Sequence, residues 1–233
     1  MRSRKTKGLV LIAVSAVAAT AATTAFAAMI EGTDGDDQLV GTPQGDLILA
    51  KAGNDTVTAN GGDDGVDAAD GNDTVLGNTG RDNISGGLGD DMLDGGQQSD
   101  TVYGQDGNDV VLGSQGRDEV RGRNGDDIVR GGQGNDLVLA GVGVDTTFGG
   151  PGSDTMLALA KADASTPGGD TVFGGRGNDT IRVSDGESDR VDCGRGRRAR
   201  AIVDPGDLDQ GTNCEIVIAR PPRDEQDTGE VGA

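Results

Sequence analysis

An apolar residue recurs at every ninth position from Leu39 to Met156, with Thr147 as the one exception, and its two neighbours are mostly polar. Side chains on an extended strand alternate between two faces. The pattern therefore predicts one short strand in every nine residues, with its central side chain pointing inward. The clearest part of this inward column is Val57, Val66, Val75, Ile84, Leu93, Val102, Val111, Val120, Val129 and Val138.

Each of these inward positions comes two residues after an aspartate. Glycine stands two residues before the aspartate in twelve of fourteen units, and Gly or Ala stands five before it in all of them. The unit reads G-G-x-G-x-D-x-U-x, where U is apolar. Because glycine tolerates positive φ, its first six residues are predicted to turn and its last three to extend. The aspartates are Asp37, Asp46, Asp55, Asp64, Asp73, Asp82, Asp91, Asp100, Asp109, Asp118, Asp127, Asp136, Asp145 and Asp154.

A repeat of this length predicts stacked coils rather than one globular core. Two units make one coil of strand, turn, strand and turn, so the fold class is all-β: a parallel β-roll, a solenoid with two thin sheets and one narrow apolar interior. Fourteen units make seven coils, and strands about 4.8 Å apart would stack to roughly 34 Å. The scarcity of aromatic residues, at 2% of the chain, argues against a conventional core.

Charge points to a cation. Residues 28–157 contain 25 acidic and 6 basic residues, a net charge of −19. Aspartates eighteen residues apart, such as Asp91 and Asp109, are predicted to stack on one side of the roll with glycine-rich carbonyl groups between them. Carboxylates held this close repel one another without a counter-ion, and Ca²⁺ takes about six to eight oxygen ligands of these two kinds. The twelve such aspartate pairs predict roughly ten to twelve Ca²⁺ ions, with folding coupled to binding.

The nonapeptide resembles the hemolysin-type (RTX) calcium-binding repeat of secreted bacterial proteins, which forms a parallel β-roll. The resemblance extends nearly continuously from Gly32 to Leu157. It implies that the fourteen aspartates supply carboxylate ligands and that the turn glycines supply carbonyl ligands. The same role is carried to Asp170 and Asp179, which follow glycine-rich turns after an insertion at residues 158–167.

Three units depart from the pattern. Gln44 and Gln98 replace the glycine before Asp46 and Asp100, and the Asp145 unit has Val144 and Thr147 at unusual positions. Calcium sites are expected to be weakest there. Near the C-terminus the family pattern calls for an aspartate close to position 198, where this chain has a basic run containing Arg195, Arg197, Arg198 and Arg200.

The N-terminus predicts export. Four basic residues precede an apolar run from Gly8 to about Ala22, and Ala25-Phe26-Ala27 follows, which is typical of a secretory signal peptide cut after Ala27. An uncleaved membrane anchor is the alternative. Cleavage would leave a secreted, extracellular chain with a net charge near −24 and no stable membrane insertion. A chain this acidic is not expected to bind nucleic acid.

Two cysteines, Cys193 and Cys214, lie beyond the regular units. In an exported chain they predict a disulfide that closes a terminal cap, with a pair of free thiols or an incomplete metal site as alternatives. The predicted organisation is a signal peptide at 1–27, a regular roll at 28–157, an insertion at 158–167, a continuation of the roll at 168–192, a disulfide-closed cap at 193–218 and a disordered tail at 219–233.

The predicted function is calcium binding by an extracellular structural or adhesive repeat protein, with a cell-envelope or extracellular polymer as a possible partner. Val110, Leu112, Leu137 and Leu139 are predicted to point outward and to offer a modest apolar contact strip. An acidic, disordered secreted spacer is the first alternative. A secreted enzyme is the second and is not favoured, because the chain has no His for a triad or a general base. Acidic pairs of the glycosidase kind are too common here to discriminate.

Overall fold

The structure is a computed structural model and describes residues 28–158, 168–183, 188–196, 198–203 and 213–219. In these ranges all regular elements are β-strands, in agreement with the predicted fold class. The strands are β1 (Met29–Glu31), β2 (Gln38–Val40), β3 (Leu47–Leu49), β4 (Thr56–Thr58), β5 (Gly65–Asp70), β6 (Thr74–Leu76), β7 (Asn83–Leu88), β8 (Met92–Gln97), β9 (Thr101–Asp106), β10 (Val110–Gln115), β11 (Glu119–Asn124), β12 (Ile128–Gln133), β13 (Leu137–Val142), β14 (Thr146–Pro151), β15 (Thr155–Leu157), β16 (Thr171–Arg176), β17 (Thr180–Val183), β18 (Arg190–Asp192), β19 (Arg200–Val203) and β20 (Ile216–Ala219).

Successive strands alternate between two parallel sheets. One sheet has eleven strands in the order β1-β3-β5-β7-β9-β11-β13-β15-β17-β19-β20, and the other has nine, from β2 to β18, containing all the even-numbered strands except β20. From β1 to β15 each strand pairs with the strand eighteen residues away, as in Val111↔Val129, and the separation varies after the insertion. The two sheets form a β-solenoid of about nine turns. The prediction of two thin parallel sheets is confirmed, and the stack is taller than the seven coils of the regular units.

The interior is a single column of small apolar side chains. All ten predicted inward residues are buried, and the Gly or Ala five residues before each aspartate lies beside them, as Ala50, Ala59, Ala68 and Ala140 show. Only a methyl group or a hydrogen occurs at that position, where the ladder carboxylate and a carbonyl oxygen of the next coil lie close to the backbone, as they do at Gly86. The core therefore extends along the roll axis instead of filling a sphere.

The paired strands are longer than predicted. From β7 to β14 each strand has six residues, not three, and continues through the two glycine positions, as in Asn83–Leu88. Pairing skips the first of these positions, Gly86, and resumes with Gly87↔Gln105. β13 does the same at Ala140, so a Gly or Ala at this position lets the backbone bend without leaving the sheet, and the true turn contains only about three residues.

The expected outward strip is divided between the two faces of the roll. Val110 and Leu112 are in β10 of the nine-stranded sheet, whereas Leu137 and Leu139 are in β13 of the eleven-stranded sheet. The prediction of one contact strip is therefore wrong. The four residues do point outward and are partly exposed.

The C-terminal coil contains Cys193 and Cys214 in a disulfide. The position near residue 198 where the family pattern calls for an aspartate is occupied by buried Ala199, whereas Arg198 is exposed. The N–H of Arg200 donates to the carbonyl oxygen of Asp179 at 2.8 Å, which sets this register. Residues 1–27, most of the insertion, Arg197 and the tail from 220 onward lie outside the described residues.

Candidate metal centre

The repeat aspartates form two continuous ladders inside the turns. In each ladder the Oδ1 atom of one aspartate accepts a hydrogen bond from the backbone N–H of the aspartate one coil earlier, as Asp109 does from Asp91 at 2.9 Å. The turn places the carboxylate there because the residue after each aspartate begins a strand. One ladder runs through Asp37, Asp55, Asp73, Asp91, Asp109, Asp127, Asp145, Asp170 and Asp189, and the other through Asp46, Asp64, Asp82, Asp100, Asp118, Asp136, Asp154 and Asp179.

The second carboxylate oxygen has a different environment. Among the described residues, thirteen ladder aspartates have a buried Oδ2 atom with no hydrogen-bond donor. An unpaired, desolvated carboxylate oxygen is unfavourable, and a row of them more so. These atoms belong to Asp55, Asp64, Asp73, Asp82, Asp91, Asp100, Asp109, Asp118, Asp127, Asp136, Asp145, Asp154 and Asp179.

Carbonyl oxygens lie close to these carboxylates. A Cβ placed on Gly86 would lie 2.2 Å from Oδ2 of Asp91 and 2.7 Å from the carbonyl oxygen of Gly104 in the next coil. A Cβ on Gly116 would lie 2.5 Å from Oδ1 of Asp118 and 1.8 Å from the carbonyl oxygen of Gln98. A side chain would therefore clash at Gly86 and at Gly116, because the space beside the backbone is occupied there by oxygen atoms from two coils.

Burial makes these carboxyl groups hard to ionise in the absence of a cation. Burial raises the pKa of Asp127 to about 8, the hydrogen bond from the Asp109 N–H opposes this, and the neighbouring charges of Asp145 and Asp109 raise it further. For the same leading reason the pKa of Asp91 rises to about 7 and that of Asp109 to about 6. At neutral pH the metal-free ladder cannot carry its full negative charge in this geometry without a large penalty.

The first aspartate of each ladder is an exception. Its Oδ2 atom accepts a hydrogen bond from the N–H of a threonine four residues earlier, Thr33 for Asp37 and Thr42 for Asp46. The threonine hydroxyl donates to the same carboxylate in both turns. The units from Asp55 to Asp154 have other residues at this position, among them Gly87, and the hydroxyl of Ser114 donates to Asp94 instead of to Asp118. The two threonines therefore give Asp37 and Asp46 hydrogen-bond donors for the Oδ2 atom, which has no donor in the turns from Asp55 to Asp154.

All sixteen sequence-predicted aspartates are buried ladder residues. The ladder is also unbroken at the three units that depart from the pattern, since Oδ1 of Asp64, Asp118 and Asp170 accept the N–H groups of Asp46, Asp100 and Asp145. Gln98 adopts the positive φ of the glycine it replaces, at 78°. Their weaker calcium binding stays a prediction.

Sequence reasoning missed Asp189 as a ladder member. It is fully buried, and its Oδ1 accepts the N–H of Asp170 at 2.7 Å. It stands nineteen residues after Asp170 instead of eighteen, which hides it from a strict count. The signal that could have found it is Val191, a buried apolar residue two positions later.

A second, outer ladder was also missed. The residue just before each aspartate of the Asp37 ladder is Asn or Asp in six consecutive coils, and its Oδ1 accepts the N–H of the equivalent residue one coil later. Its members are Asp36, Asn54, Asn72, Asp90, Asn108 and Asp126. The outer ladder fixes the spacing of the turns from the solvent side, and Asn and Asp serve it equally well.

The oxygen donors suit a hard cation. Within the described ranges no three acidic or cysteine side chains converge, so a site here would combine carboxylates with backbone carbonyls. Ca²⁺ prefers this mixture and tolerates irregular geometry, whereas Mg²⁺ demands a near-ideal octahedron. The unpaired Oδ2 atoms and the adjacent carbonyl oxygens therefore fit calcium ligation.

Comparison with protein-family models agrees with the geometry. The model of the RTX calcium-binding nonapeptide repeat matches residues 31–66, 40–75, 67–102, 91–120, 103–138, 121–156 and 165–187, which together cover more than half of the chain. The chain belongs to the RTX calcium-binding nonapeptide repeat family. No curated protein matches it significantly. RTX repeat proteins are typically secreted, and their β-roll is generally structural rather than enzymatic. In the described part of this RTX chain, no helix is long and apolar enough to cross a membrane.

Proposed function

We propose that this RTX protein is an extracellular rod that folds when it binds calcium in its two columns of turns. The observation that carries the proposal is the row of thirteen buried Oδ2 atoms without donors. When bound, Ca²⁺ would supply the positive charge that lets these carboxylates ionise while buried. The chain's contribution is to hold oxygen atoms from two coils around one space and to exclude water from it.

The ligands that we propose are the sixteen predicted aspartates together with the turn carbonyls. Asp37 and Asp46, whose carboxylates already accept threonine donors, are expected to bind calcium least tightly. Roughly ten to twelve ions remain the expected stoichiometry. Each calcium ion would be bound by oxygen atoms from two neighbouring coils. The free energy of calcium binding would therefore also stabilise the packing of one coil on the next.

Calorimetric titration of the mature, metal-free chain with CaCl₂ tests the proposal directly. We expect many ions per chain, together with a gain of β-structure in the far-ultraviolet circular dichroism spectrum and compaction in small-angle scattering. MgCl₂ is the control and should give a much smaller response at equal concentration. A chain that binds one or two calcium ions, or that shows no spectral change with millimolar calcium, contradicts the array.

Two neighbouring residues offer a matched pair of variants. Asp91→Asn removes a charge from the inner ladder, whereas Asp90→Asn removes one from the outer ladder, where Asn72 and Asn108 already occupy the equivalent places. We expect D91N to lose at least one calcium ion and D90N to retain the full number. Equal losses would show that calcium is attracted by bulk negative charge and not held by the inner carboxylates.

The same titration separates this function from the two alternatives. A disordered acidic spacer would bind calcium loosely and stay expanded. An enzyme would need a substrate pocket, and we propose none. The extracellular setting is supported by the signal-like N-terminus and by the disulfide, which suits an oxidising compartment. A possible adhesive role is tested by co-sedimentation with purified envelope polymers, with and without a chelator.

A further inference from the structure

The second aspartate ladder begins on a backbone nitrogen and not on another aspartate. The N–H of Ala28 donates to Oδ1 of Asp46 at 2.8 Å, and Ala28 is only 3% exposed. Ala28 stands eighteen residues before Asp46, in the position that an aspartate holds in later coils, and its carbonyl oxygen accepts the N–H of Leu47. It is therefore a ladder residue without a carboxylate.

Asp46 has a complete set of donors around it. Besides Ala28, the N–H and the hydroxyl of Thr42 donate to its carboxylate. Both carboxylate oxygens of Asp46 are therefore held by the chain's own donors. One of these donors is the nitrogen at the predicted cleavage point. The ladder start is thus built to hold a carboxylate next to that nitrogen.

Ala28 is also the first residue after the expected signal-peptide cleavage point. Hydrolysis of the Ala27–Ala28 peptide bond by a signal peptidase consumes one water, leaves a carboxylate on Ala27 and leaves a protonated α-amino group on Ala28. We propose that this new α-ammonium group is the ion-pair partner of Asp46. Processing then replaces a hydrogen bond from an amide to a carboxylate with an ion pair between an ammonium group and the same carboxylate.

The charge matters because of where the pair lies. An ammonium group adds Coulomb attraction to the hydrogen bond and balances the negative charge of the Asp46 carboxylate. In a solenoid each coil is stabilised by its neighbours, so the first coil, with only one neighbour, frays most easily. The released terminus therefore stabilises the first coil of the roll, through a contact that contains no calcium ion.

Hydrogen exchange on three matched chains tests this inference. The first chain begins at Ala28, the second begins at Ala27, and the third begins at Ala28 with an acetylated terminus. We expect peptides from residues 28–49 to exchange about five- to tenfold more slowly in the first chain than in the other two. Peptides from β9 to β11 should exchange equally in all three and serve as the internal reference.

Two substitutions assign the effect. In chains beginning at Ala28 and at Ala27, Asp46→Asn should abolish the difference in exchange. Asp64→Ala, which removes the acceptor of the Asp46 N–H but does not touch the terminus, should speed exchange in both chains and leave their ratio unchanged. If D46N fails to fold, the acetylated chain alone decides. Equal exchange in all three chains, or an exported protein whose mass shows a first residue other than Ala28, overturns the inference.

Discussion

At the scale of single residues, backbone handedness is set by position and not by residue type. Among the described residues, nine that are not glycine have positive φ, and seven of them stand four residues before a ladder aspartate, where other units have glycine. A left-handed conformation costs an L-residue about 1–2 kcal/mol. Each of these seven positions therefore costs a small amount of conformational free energy, which the packing of the coils outweighs. They are Lys51, Asn60, Ala69, Asn78, Gln105, Ser114 and Arg123.

Ala69→Gly should consequently stabilise the roll. Ala69 has a φ of 73°, and glycine adopts this value without a steric cost, so we expect a gain of about 1 kcal/mol. The control is Ala68→Gly, one residue away, where a fully buried methyl group is lost and the free energy of unfolding should fall by about 1 kcal/mol. Urea denaturation in saturating calcium measures both variants. A loss of stability in A69G would refute the explanation.

The hydroxyl of Thr147 is a second local defect. It is buried in the column that otherwise contains apolar residues, between Val129 and Val172, and its Oγ1 has no hydrogen-bond partner. Replacing it with valine keeps the shape and removes the unpaired polar group, so Thr147→Val should raise the free energy of unfolding by about 1 kcal/mol. Thr146→Val, at the outward-facing neighbour, should change stability by less than about 0.5 kcal/mol. Thermal unfolding of both variants in saturating calcium compares them.

At the scale of elements, the strands that the sequence predicts best are those whose central residue is apolar. A period of nine and an alternation of faces are enough to place the inward column and both sheets. The six-residue length of β7 to β14 could not be predicted, because it depends on how the chain bends at the Gly or Ala position, where the ladder carboxylate lies against the backbone, as Asp91 does at Gly86. Asp189 escaped because one extra residue in its turn breaks the count without breaking the ladder.

The C-terminal strands should depend on the disulfide more than the rest of the roll does. Among the described strands β20 has one partner, β19, and Cys193 is buried while Cys214 packs against the same core. Closing a loop across a separation of 21 residues is worth about 3 kcal/mol in the chain-entropy model. We expect the double variant Cys193→Ser/Cys214→Ser to expose residues 213–219 to hydrogen exchange while β10 keeps its protection. Equal deprotection of both regions would mean that the disulfide supports the whole stack.

At the scale of the whole molecule, the stacked carboxyl groups make the metal-free fold sensitive to pH. Burial raises the pKa of ladder aspartates to values from about 6 for Asp55 to about 8 for Asp127, above the ordinary 3.8. A raised folded-state pKa means that the folded chain holds protons which the unfolded chain releases. This contribution is fully present below about pH 4 and is lost as the pH rises through the range from 6 to 8.

The metal-free chain should therefore be more folded near pH 4.5 than at pH 8, which is opposite to the behaviour of most proteins stabilised by ionised carboxylates. Circular dichroism of the calcium-free chain across this range measures the trend. With saturating calcium the dependence should reverse, because protons then compete with the ion for the same oxygens. A calcium-free chain that gains structure toward alkaline pH would contradict the ladder geometry.

The insertion between Ala158 and Gly168 shows that the aspartate ladders continue across extra residues. The aspartates on its two sides are 25 residues apart instead of eighteen, yet the N–H of Asp145 reaches Asp170 at 2.8 Å and that of Asp154 reaches Asp179 at 3.0 Å. The position of a residue along the roll axis thus depends on the number of coils before it. Extra residues between two strands leave this position unchanged. A foreign peptide could therefore be inserted between Ala158 and Gly168 and would be held at a fixed position along the roll axis. Adding or removing coils would then set the distance between two such peptides.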